Sequence, residues 1–248
     1  MDIQKLLSLV RQAVERYRMI EEGDRIAVGV SGGKDSMALL YALKKLSAFY
    51  PKSFELRGIC VDLGHPGTDF SALQRFCEEL GVELSVVATQ IEQIVFGVRK
   101  EKHPCSLCAK LRKGALVTEA QRLGCNKIAY AHHRDDFVET MLLSLLFQGR
   151  FYAFPPVTRF EDRDMEVIRP LMLVEESRIR GFVRKYEIPT IENPCPADGR
   201  TERAYVKTLL AQIEREHPGT KKRMFRAITE GGIEDWPCNP DAPFDQER

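Results

Sequence analysis

The sequence predicts an α/β fold built on a doubly wound, mostly parallel sheet with a C-terminal helical extension. Short apolar segments alternate with amphipathic ones, a pattern typical of parallel strands joined by helices. The apolar segment "RIAVGV" (25–30) leads into a glycine-rich turn and then a helical pattern, which is where such sheets bind ligands. At 248 residues the chain is long enough to bury a large core without disulfide or metal staples.

Hydrophobic periodicity predicts the elements in order. Apolar residues at helical spacing between Ile3 and Tyr17 predict an N-terminal helix packed on the core. Beyond the first strand and its helix from Asp35, further strands are expected in "ELRGICVDL", "VELSVVA" and "KIAYA". Further helices are expected in "FSALQRFCEEL", 107–122, "DDFVETMLLSLLF", 175–186, 201–214 and 221–230. The segment "VTRFEDRDMEVIRP" predicts a hairpin with a charged turn.

Composition favours a cytoplasmic protein with no membrane partner. The longest apolar run, "MLLSLLF" at 141–147, is far shorter than the roughly 20 residues of a membrane helix, and the N-terminus lacks a signal-peptide pattern. A net charge of +1 neither requires nor excludes nucleic acid. Disulfides are rare in a reducing compartment, so the spacing of the seven cysteines indicates metal or thiol chemistry.

The turn "SGGKDS" (31–36) predicts a phosphate site. Backbone N–H groups and the helix dipole favour a bound anion at a turn between a strand and a helix. A Walker A loop is excluded, because it would need glycine at Val28 and Ser or Thr at Asp35. An acid after Lys34 suits a magnesium ion that accompanies the phosphates. Taken alone, the motif also fits an ordinary glycine-rich turn.

The string "AHHRDDFVET" (131–140) also follows a predicted strand and opens a helix. Its helical spacing places Asp136, Glu139 and Thr140 on one face. Asp135 or Asp136 could simply cap the helix, which is the commoner role of such an acid. Acids at the carboxyl end of a parallel strand also lie where these sheets bind ligands.

Two further strings carry thiols. "HPCSLCAKLRKG" (103–114) contains Cys105 and Cys108, and this spacing alone fits zinc, a disulfide, a redox pair or an iron-sulfur cluster. "NPCPADG" (193–199) contains Cys195, whose flanking prolines fix the backbone and favour a presented, non-helical thiol. The strand and helix settings of three other cysteines predict core positions, namely Cys60, Cys77 and Cys125.

In this order the four strings resemble the tRNA 2-thiocytidine synthetase (TtcA) family of the PP-loop, or N-type, ATP pyrophosphatase superfamily. The resemblance extends from about Arg25 to Trp236 and implies an adenine nucleotide alpha hydrolase-like fold. It implies an enzyme that uses ATP, Mg2+ and a 4Fe-4S cluster to adenylate and then thiolate an anticodon-loop cytidine of tRNA. The implied partners are tRNA and a sulfur donor, either a cysteine desulfurase or free sulfide, and a homodimer is a candidate assembly.

The resemblance divides the chain into an N-terminal helix (1–24), a PP-loop ATP pyrophosphatase domain with an inserted C-x-x-C segment (25–190), and a C-terminal helical extension (191–248) that carries the third cluster cysteine. Cluster ligation is assigned to Cys105, Cys108 and Cys195. Nucleotide binding is assigned to Ser31, Gly32, Gly33, Lys34, Asp35, Ser36, Asp62 and His132. The expected catalytic residues are Asp35, Asp135, Asp136 and Arg112.

The sequence departs from the family pattern at two positions. Ala131 replaces a glycine. Asp198 stands where many members have a fourth cysteine, so these two motifs cannot form a four-thiolate zinc site, although Asp198 could act as a weak oxygen ligand. Three thiolates would leave an open coordination position, and our hypothesis is that the unique iron holds hydrosulfide there.

Basic residues follow the thiols and recur near the C-terminus. Lys110, Arg112 and Lys113 could contact tRNA phosphate or a developing oxyanion, or they could form a solvated helix face. A second set predicts a phosphate-binding surface, with simple solvation as the alternative: Arg200, Arg203, Lys207, Lys221, Lys222, Arg223 and Arg226.

Three other functions share parts of this pattern. Another PP-loop enzyme that thiolates uridine or desulfurates a thiolated base would show similar core motifs. A lysidine-type ligase would keep the loop but would not need three placed thiols. A non-catalytic, zinc-stabilised tRNA-binding protein is disfavoured by the intact Asp35, Ser36, Asp135 and Asp136.

Overall fold

The computed structural model describes residues 1–99, 104–160, 164–191, 195, 201–231 and 236. Their strands are β1 (Asp24–Gly29), β2 (Phe54–Asp62), β3 (Glu83–Ala88), β4 (Lys127–Ala129), β5 (Val157–Phe160) and β6 (Met165–Ile168). Their α-helices are α1 (Ile3–Arg16), α2 (Lys34–Ser47), α3 (Ser71–Leu80), α4 (Pro104–Arg122), α5 (Arg134–Gln148), α6 (Glu176–Lys185), α7 (Glu202–Glu216) and α8 (Thr220–Glu230). A π-helical segment, Gln93–Arg99, precedes α4.

The six strands form one sheet in the order β3-β2-β1-β4-β6-β5, which confirms the predicted fold class. All neighbouring pairs are parallel except β5 and β6, the predicted hairpin. At the centre, Val28 of β1 pairs with Gly58 of β2 and Ala129 of β4. The strand order reverses at β1, so a crevice is expected outside the carboxyl ends of β1 and β4.

Both faces of the sheet are covered by helices because the strand side chains alternate between them. Ile26 and Val28 of β1 face the larger core, which α1, α2, α3, α5, α6, α7 and α8 complete. Ala27 faces the opposite side, where it packs with Leu116 and Val117 of α4. The middle of β1 is therefore apolar on both faces.

The terminal helices share the larger core with the sheet. Buried Leu6 and Val10 of α1 belong to it, as do Val206 and Leu210 of α7 and Phe225 of α8. The division at residues 24/25 and 190/191 stays a prediction.

Helix α4 begins at Pro104, three residues before the predicted start near Leu107. Proline is favoured at the first helical position, since its missing N–H has no partner there and its φ is already helical. Cys105 and Cys108 consequently lie in the first turn of α4 rather than in a loop before it.

The long apolar run at 141–147 is the C-terminal half of α5. Met141 and Leu142 are buried, whereas Leu145, Leu146 and Phe147 are exposed. Within the described residues, no helix has the length and apolar character to cross a bilayer.

The structure confirms that Cys60, Cys77 and Cys125 are core residues, since all three are buried. Burial raises the pKa of Cys60 to about 12 and that of Cys77 to about 11. These thiols are therefore neutral and shielded, which suits a packing role.

A buried lysine links three strands at the edge of the sheet opposite the crevice. Lys127 Nζ lies 2.8 Å from Asp24 Oδ2 and 3.5 Å from Glu166 Oε2, and it donates to the Met19 carbonyl at 3.1 Å. Replacing it by methionine would leave the buried Asp24 carboxylate without its cation.

The Lys127→Met variant is expected to lose about 3–5 kcal/mol of unfolding free energy, the usual effect of removing one partner of a buried pair. Urea denaturation measures this loss. Arg159→Ala is the matched control, because Arg159 also binds Glu166 but is 84% exposed. That change is expected to cost less than about 1 kcal/mol. Equal losses in the two variants would contradict the assignment.

Candidate active site

The glycine turn closes tightly against the C-terminal part of the chain. Gly32 has φ of +77°, and a Cβ there would lie 2.9 Å from the Ile191 Cβ. The Gly32 carbonyl accepts a hydrogen bond from the Ile191 N–H at 2.9 Å. Only glycine fits this backbone conformation and this close approach.

Two serines brace the inside of the turn. The Ser31 N–H donates to Ser36 Oγ at 3.1 Å, and Ser36 Oγ donates to the Gly33 carbonyl at 2.9 Å. Gly33 is the N-cap of α2 and has no side chain with which to cap it. The first N–H groups of α2 are thus presented at the crevice, as an anion site requires.

Asp35 offers an oxygen suited to a cation. Its Oδ2 accepts from Lys34 Nζ at 2.9 Å. Its Oδ1 is buried and accepts no hydrogen bond from any described residue, with His133 Nε2 at 3.8 Å. An unpaired buried carboxylate oxygen is costly, and magnesium binds such oxygens readily. Asp35 therefore fits the predicted magnesium position.

Asp136 caps α5 and also faces the crevice. Asp136 Oδ2 accepts from the His133 N–H at 2.9 Å, while the Asp136 N–H donates to His133 Nδ1 at 3.4 Å. Burial raises the pKa of Asp136, and Asp35 adds to the rise, while His133 and Arg203 oppose it. Asp136 therefore both caps α5 and lies close enough to Asp35 for their charges to interact.

Asp135 links three helices. Its Oδ2 accepts from the Glu176 N–H at 2.9 Å, and its Oδ1 accepts from Lys221 Nζ at 3.0 Å. Burial favours a higher pKa for Asp135, but these two bonds outweigh it and lower the pKa. Both oxygens are engaged in holding α5, α6 and α8 together, so the catalytic assignment of Asp135 stays a prediction.

Glu176 joins the glycine turn to the C-terminal helices. Its Oε1 lies 3.0 Å from Lys34 Nζ and 3.2 Å from Arg180, and its Oε2 lies 2.8 Å from Lys207 Nζ. Burial alone would raise the pKa of Glu176, yet Lys207 and Lys34 together lower it to about 2. No local sequence pattern indicates this role.

Three cations of the predicted C-terminal phosphate surface instead pair with acids of the crevice. Lys207 binds Glu176 and Lys221 binds Asp135. Arg203 lies 3.3 Å from Asp136 and 3.2 Å from Glu139, and it donates to Thr140 Oγ1 at 3.2 Å. These three cations are therefore not simply solvated, because α7 and α8 pack against α5 beside its carboxylates. Their binding of phosphate stays a prediction. Arg200 lies outside the described residues.

His132 is held by an arginine that the sequence prediction missed. Arg169 Nε donates to His132 Nδ1 at 3.2 Å, and the His132 ring stacks on Phe154 with centroids 4.4 Å apart. Burial, and then Arg169, lowers the pKa of His132 to about 3. His132 is therefore neutral, with Nδ1 accepting and Nε2 carrying the proton. Arg169 follows β6 directly, and its place at the carboxyl end of a strand could have indicated a role in the site.

Asp62 ends β2 beside the glycine turn. Its Oδ1 accepts from the Gly64 N–H at 2.9 Å, and its carbonyl accepts from Thr89 Oγ1 at 2.7 Å. Its place at the carboxyl edge of the sheet agrees with the predicted nucleotide contact, which stays a prediction.

The charges of the other two predicted cluster cysteines act on Cys108. Cys105 is exposed and Cys108 is half-buried in the first turn of α4. Burial raises the pKa of Cys108, Cys195 and Cys105 raise it further, and Arg112 opposes them. Cys108 thus lies within electrostatic range of Cys105, Cys195 and Arg112. Asp198 lies outside the described residues.

In the described part of the chain, no three His, Cys, Asp or Glu side chains are grouped closely enough to share one metal ion. Thiolates on a single zinc can be no more than about 4.6 Å apart, twice the zinc–sulfur distance. Thiolates on a cluster bind separate irons and can be further apart, and cysteine thiolates are the donor type that iron-sulfur clusters use, so the chemistry of these three residues fits a cluster.

Arg112 connects the thiols to the crevice. It lies one helical turn after Cys108. Burial raises the pKa of Cys108 and Tyr130 and lowers that of His132, and the Arg112 charge opposes the two rises and adds to the fall. Arg112 is exposed, whereas nearby Lys113 places its Nζ 4.6 Å from the Phe160 ring centroid. An exposed cation that acts on both the thiols and the crevice suits a phosphate or an oxyanion.

Comparison with known proteins accords with this geometry. A family model described as the PP-loop domain matches residues 3–214. A tRNA-cytidine(32) 2-sulfurtransferase of Geobacter sulfurreducens is 39% identical over 230 residues, covering 90% of this chain and 88% of the relative. One from Pseudomonas putida is 38% identical and covers 90% and 82% respectively. The chain belongs to the PP-loop tRNA-cytidine(32) 2-sulfurtransferase family.

A solved structure shows a similar fold. The U34-tRNA thiolase NcsA from Methanococcus maripaludis, solved with its 4Fe-4S cluster, superposes with a TM-score of 0.76 and 25% identity. The match covers 91% of this chain and 77% of the thiolase.

The Glu176 junction of this 2-sulfurtransferase family member should make its stability depend on acid pH. Because its folded pKa, about 2, lies below the ordinary 4.5, the stabilisation is complete above pH 4.5 and is lost as pH falls toward 2. At about 1.4 kcal/mol per unit of pKa difference, the full contribution to the free energy of unfolding is about 3 kcal/mol.

Urea unfolding of wild type and Glu176→Gln between pH 7 and pH 2 tests this expectation. The stability difference should shrink as pH falls below 4.5. Glu175→Gln is the control, because Glu175 is 29% exposed and pairs with Arg134 and Arg178. A difference for Glu176→Gln that is constant with pH would contradict the assignment.

Proposed function

We propose that the chain is an ATP-dependent tRNA sulfurtransferase that adenylates and then thiolates an anticodon-loop cytidine to give 2-thiocytidine. The observation that carries this proposal is 39% identity to a tRNA-cytidine(32) 2-sulfurtransferase across 90% of the chain. The electrostatic effect of Cys105 and Cys195 on Cys108, in a chain with a PP-loop crevice, supports the same activity.

The crevice would hold Mg2+ and ATP. The exposed first turn of α2 and Lys34 would bind the departing pyrophosphate, while Asp35 Oδ1 would hold the metal. Activation is needed because the C2 oxygen of cytosine is a poor leaving group. Its attack on the α-phosphate forms the adenylate and breaks the bond to pyrophosphate, whose charge the loop neutralises.

Lys34 is positioned for this role by two acids. Burial favours a lower pKa for Lys34, but Asp35 and Glu176 outweigh it and raise the pKa. Lys34 therefore stays charged, and its ammonium is held at the mouth of the loop until phosphate oxygens replace its carboxylate partners.

The thiols would hold the 4Fe-4S cluster through Cys105, Cys108 and Cys195, the donor type that such clusters use. When bound, the cluster would supply an iron with an open position for the sulfur that replaces the activated oxygen at C2. Arg112, between Cys108 and His132, would neutralise charge on the departing AMP.

The sulfur would come from a cysteine desulfurase or free sulfide, and the enzyme would work in the cytoplasm on tRNA. The homodimer stays a prediction. Analysis of tRNA nucleosides by mass spectrometry in a deletion strain tests the product. We expect 2-thiocytidine to disappear and to return with the wild-type gene but not with Cys195→Ala. Unchanged 2-thiocytidine would contradict the proposal, and loss of a 2-thiouridine instead would assign the enzyme to uridine.

A further inference from the structure

An exposed aromatic surface lies at the C-terminal end of α5 and has no role in the site described above. It consists of Phe147, Phe151 and Tyr205 with Arg150, and we name these four residues the aromatic patch. Phe147 is 47% exposed, Phe151 70% and Tyr205 59%. Exposed aromatic rings grouped in this way commonly mark an interaction site.

The patch is built from two helices and a loop. The Phe147 ring of α5 meets the Tyr205 ring of α7 edge to face, with centroids 6.3 Å apart. Phe151 follows the end of α5, at which Gly149 adopts a left-handed conformation with φ of +66°. The Phe147 and Tyr205 rings are therefore held by the same α5–α7 packing that places Arg203 in the crevice.

The patch is continuous with the crevice along α5. Asp136, Thr140 and Phe147 recur at helical spacing on one face, and Arg203 bonds to the first two. Phe147 is eleven residues after Asp136, which is about 16 Å along the helix axis. Tyr205 is two residues after Arg203 on α7.

A second connection runs through the loop after α5. The chain passes from Phe151 to Phe154, whose ring stacks on His132 at the crevice. A nucleic-acid strand with one base in the crevice would therefore meet the aromatic patch a few nucleotides away.

The charge of the part of the patch formed by α5 and the loop after it suits a polyanion. The segment 145–152, "LLFQGRFY", contains one cation, Arg150, and no acid. The Arg150 guanidinium lies 5.0 Å from the Tyr152 ring centroid. Aromatic rings with planar arginine are the usual platform for unpaired RNA bases, which stack on them without regard to sequence.

We propose that the aromatic patch binds unpaired bases of the tRNA anticodon loop next to the target cytidine. This inference rests on the proposed function, and it names the surface that holds the substrate loop. A second copy of the chain is the competing occupant, because Leu145 and Leu146 adjoin the patch and are also exposed.

Binding of unmodified tRNA to the anaerobic holoenzyme, measured by fluorescence anisotropy without ATP, tests the proposal. Phe147→Leu and Tyr205→Leu are expected to weaken tRNA binding by about 10-fold each, the loss of one stacked base. Phe147→Trp should bind within about 3-fold of wild type, because it keeps a stacking ring. Leucine retains apolar area, so a purely hydrophobic contact would tolerate it.

Phe49→Leu is the matched control, since Phe49 is 54% exposed on another surface beside α1. Wild-type tRNA affinity in both leucine variants, or an equal loss of affinity in Phe49→Leu, would overturn the proposed role of the patch while leaving the proposed function intact. Conversion of a dimer to a monomer with unchanged tRNA affinity, seen by sedimentation, would assign the patch to a second copy. A wild-type holoenzyme that binds no tRNA would overturn the proposed function as well.

Discussion

Cys108→Ala protein purified without oxygen is expected to contain almost no iron or labile sulfide, whereas the wild type should contain about four of each per chain. Cys108 is the most informative of the three thiols, because its pKa responds to both Cys105 and Cys195. With two thiolates left, the cluster loses a third of its protein ligands and tRNA thiolation should stop. Iron and sulfide analysis with the visible absorption spectrum measures the first effect.

Cys60→Ala is the control for this variant. Cys60 is buried in the sheet, and its raised pKa, about 12, marks a shielded thiol. The iron content of the Cys60→Ala protein should therefore match that of the wild type. Stoichiometric zinc without iron in the wild type would contradict the cluster assignment. Wild-type iron in Cys108→Ala would exclude this residue as a ligand.

Asp35→Asn is expected to lower tRNA-dependent pyrophosphate release by about 10³-fold, because a magnesium ion at a phosphoryl centre contributes several kcal/mol. The unpaired Oδ1 of Asp35 is the carboxylate oxygen in the crevice best suited to this ion. Thermal unfolding should be nearly unchanged, since the Asp35 side chain is 28% exposed. A coupled assay for pyrophosphate measures the rate.

Asp135→Asn provides the contrast. Asp135 accepts from Glu176 and Lys221 and links three helices, so its replacement should lower stability more than Asp35→Asn does. The rate of pyrophosphate release per folded molecule should fall less in Asp135→Asn than in Asp35→Asn. An Asp135→Asn enzyme that is stable but inactive, beside an active Asp35→Asn enzyme, would exchange the roles of the two acids.

Local patterns predicted which strand ends come together at the crevice. Strand β1 and the glycine turn follow from an apolar run that ends in three closely spaced small residues, and β4 followed by two acids repeats the arrangement. Parallel strands put these two ends at one edge of the sheet. The meeting of Asp35 and Asp136 therefore follows from topology alone.

Contacts that depend on distant packing could not be predicted in the same way. Arg203 and Lys207 are surface-like in sequence, and their acidic partners lie 31 to 67 residues earlier in the chain. Only the packing of α7 on α5 turns these side chains toward the crevice. The i, i+4 spacing of the two cations showed that they share a face, but not which face.

The helix start at Pro104 shows a third kind of limit. Both a loop and a helical turn accommodate C-S-L-C, and the proline that precedes it decides for the helix. The proximity of Cys195 and Cys108, 87 residues apart in sequence, was implied by family resemblance and by no local pattern. The structure adds the electrostatic link between them.

The central claim is that the PP-loop crevice and the three thiols form one tRNA-thiolating site. Its most direct test is an anaerobic reaction of reconstituted enzyme, unmodified tRNA, Mg2+-ATP and sulfide, followed by mass spectrometry of the nucleosides. The account predicts 2-thiocytidine with wild type and none with Cys195→Ala or without ATP. Formation of 2-thiocytidine by Cys195→Ala, or its absence with fully loaded wild type, would contradict the claim.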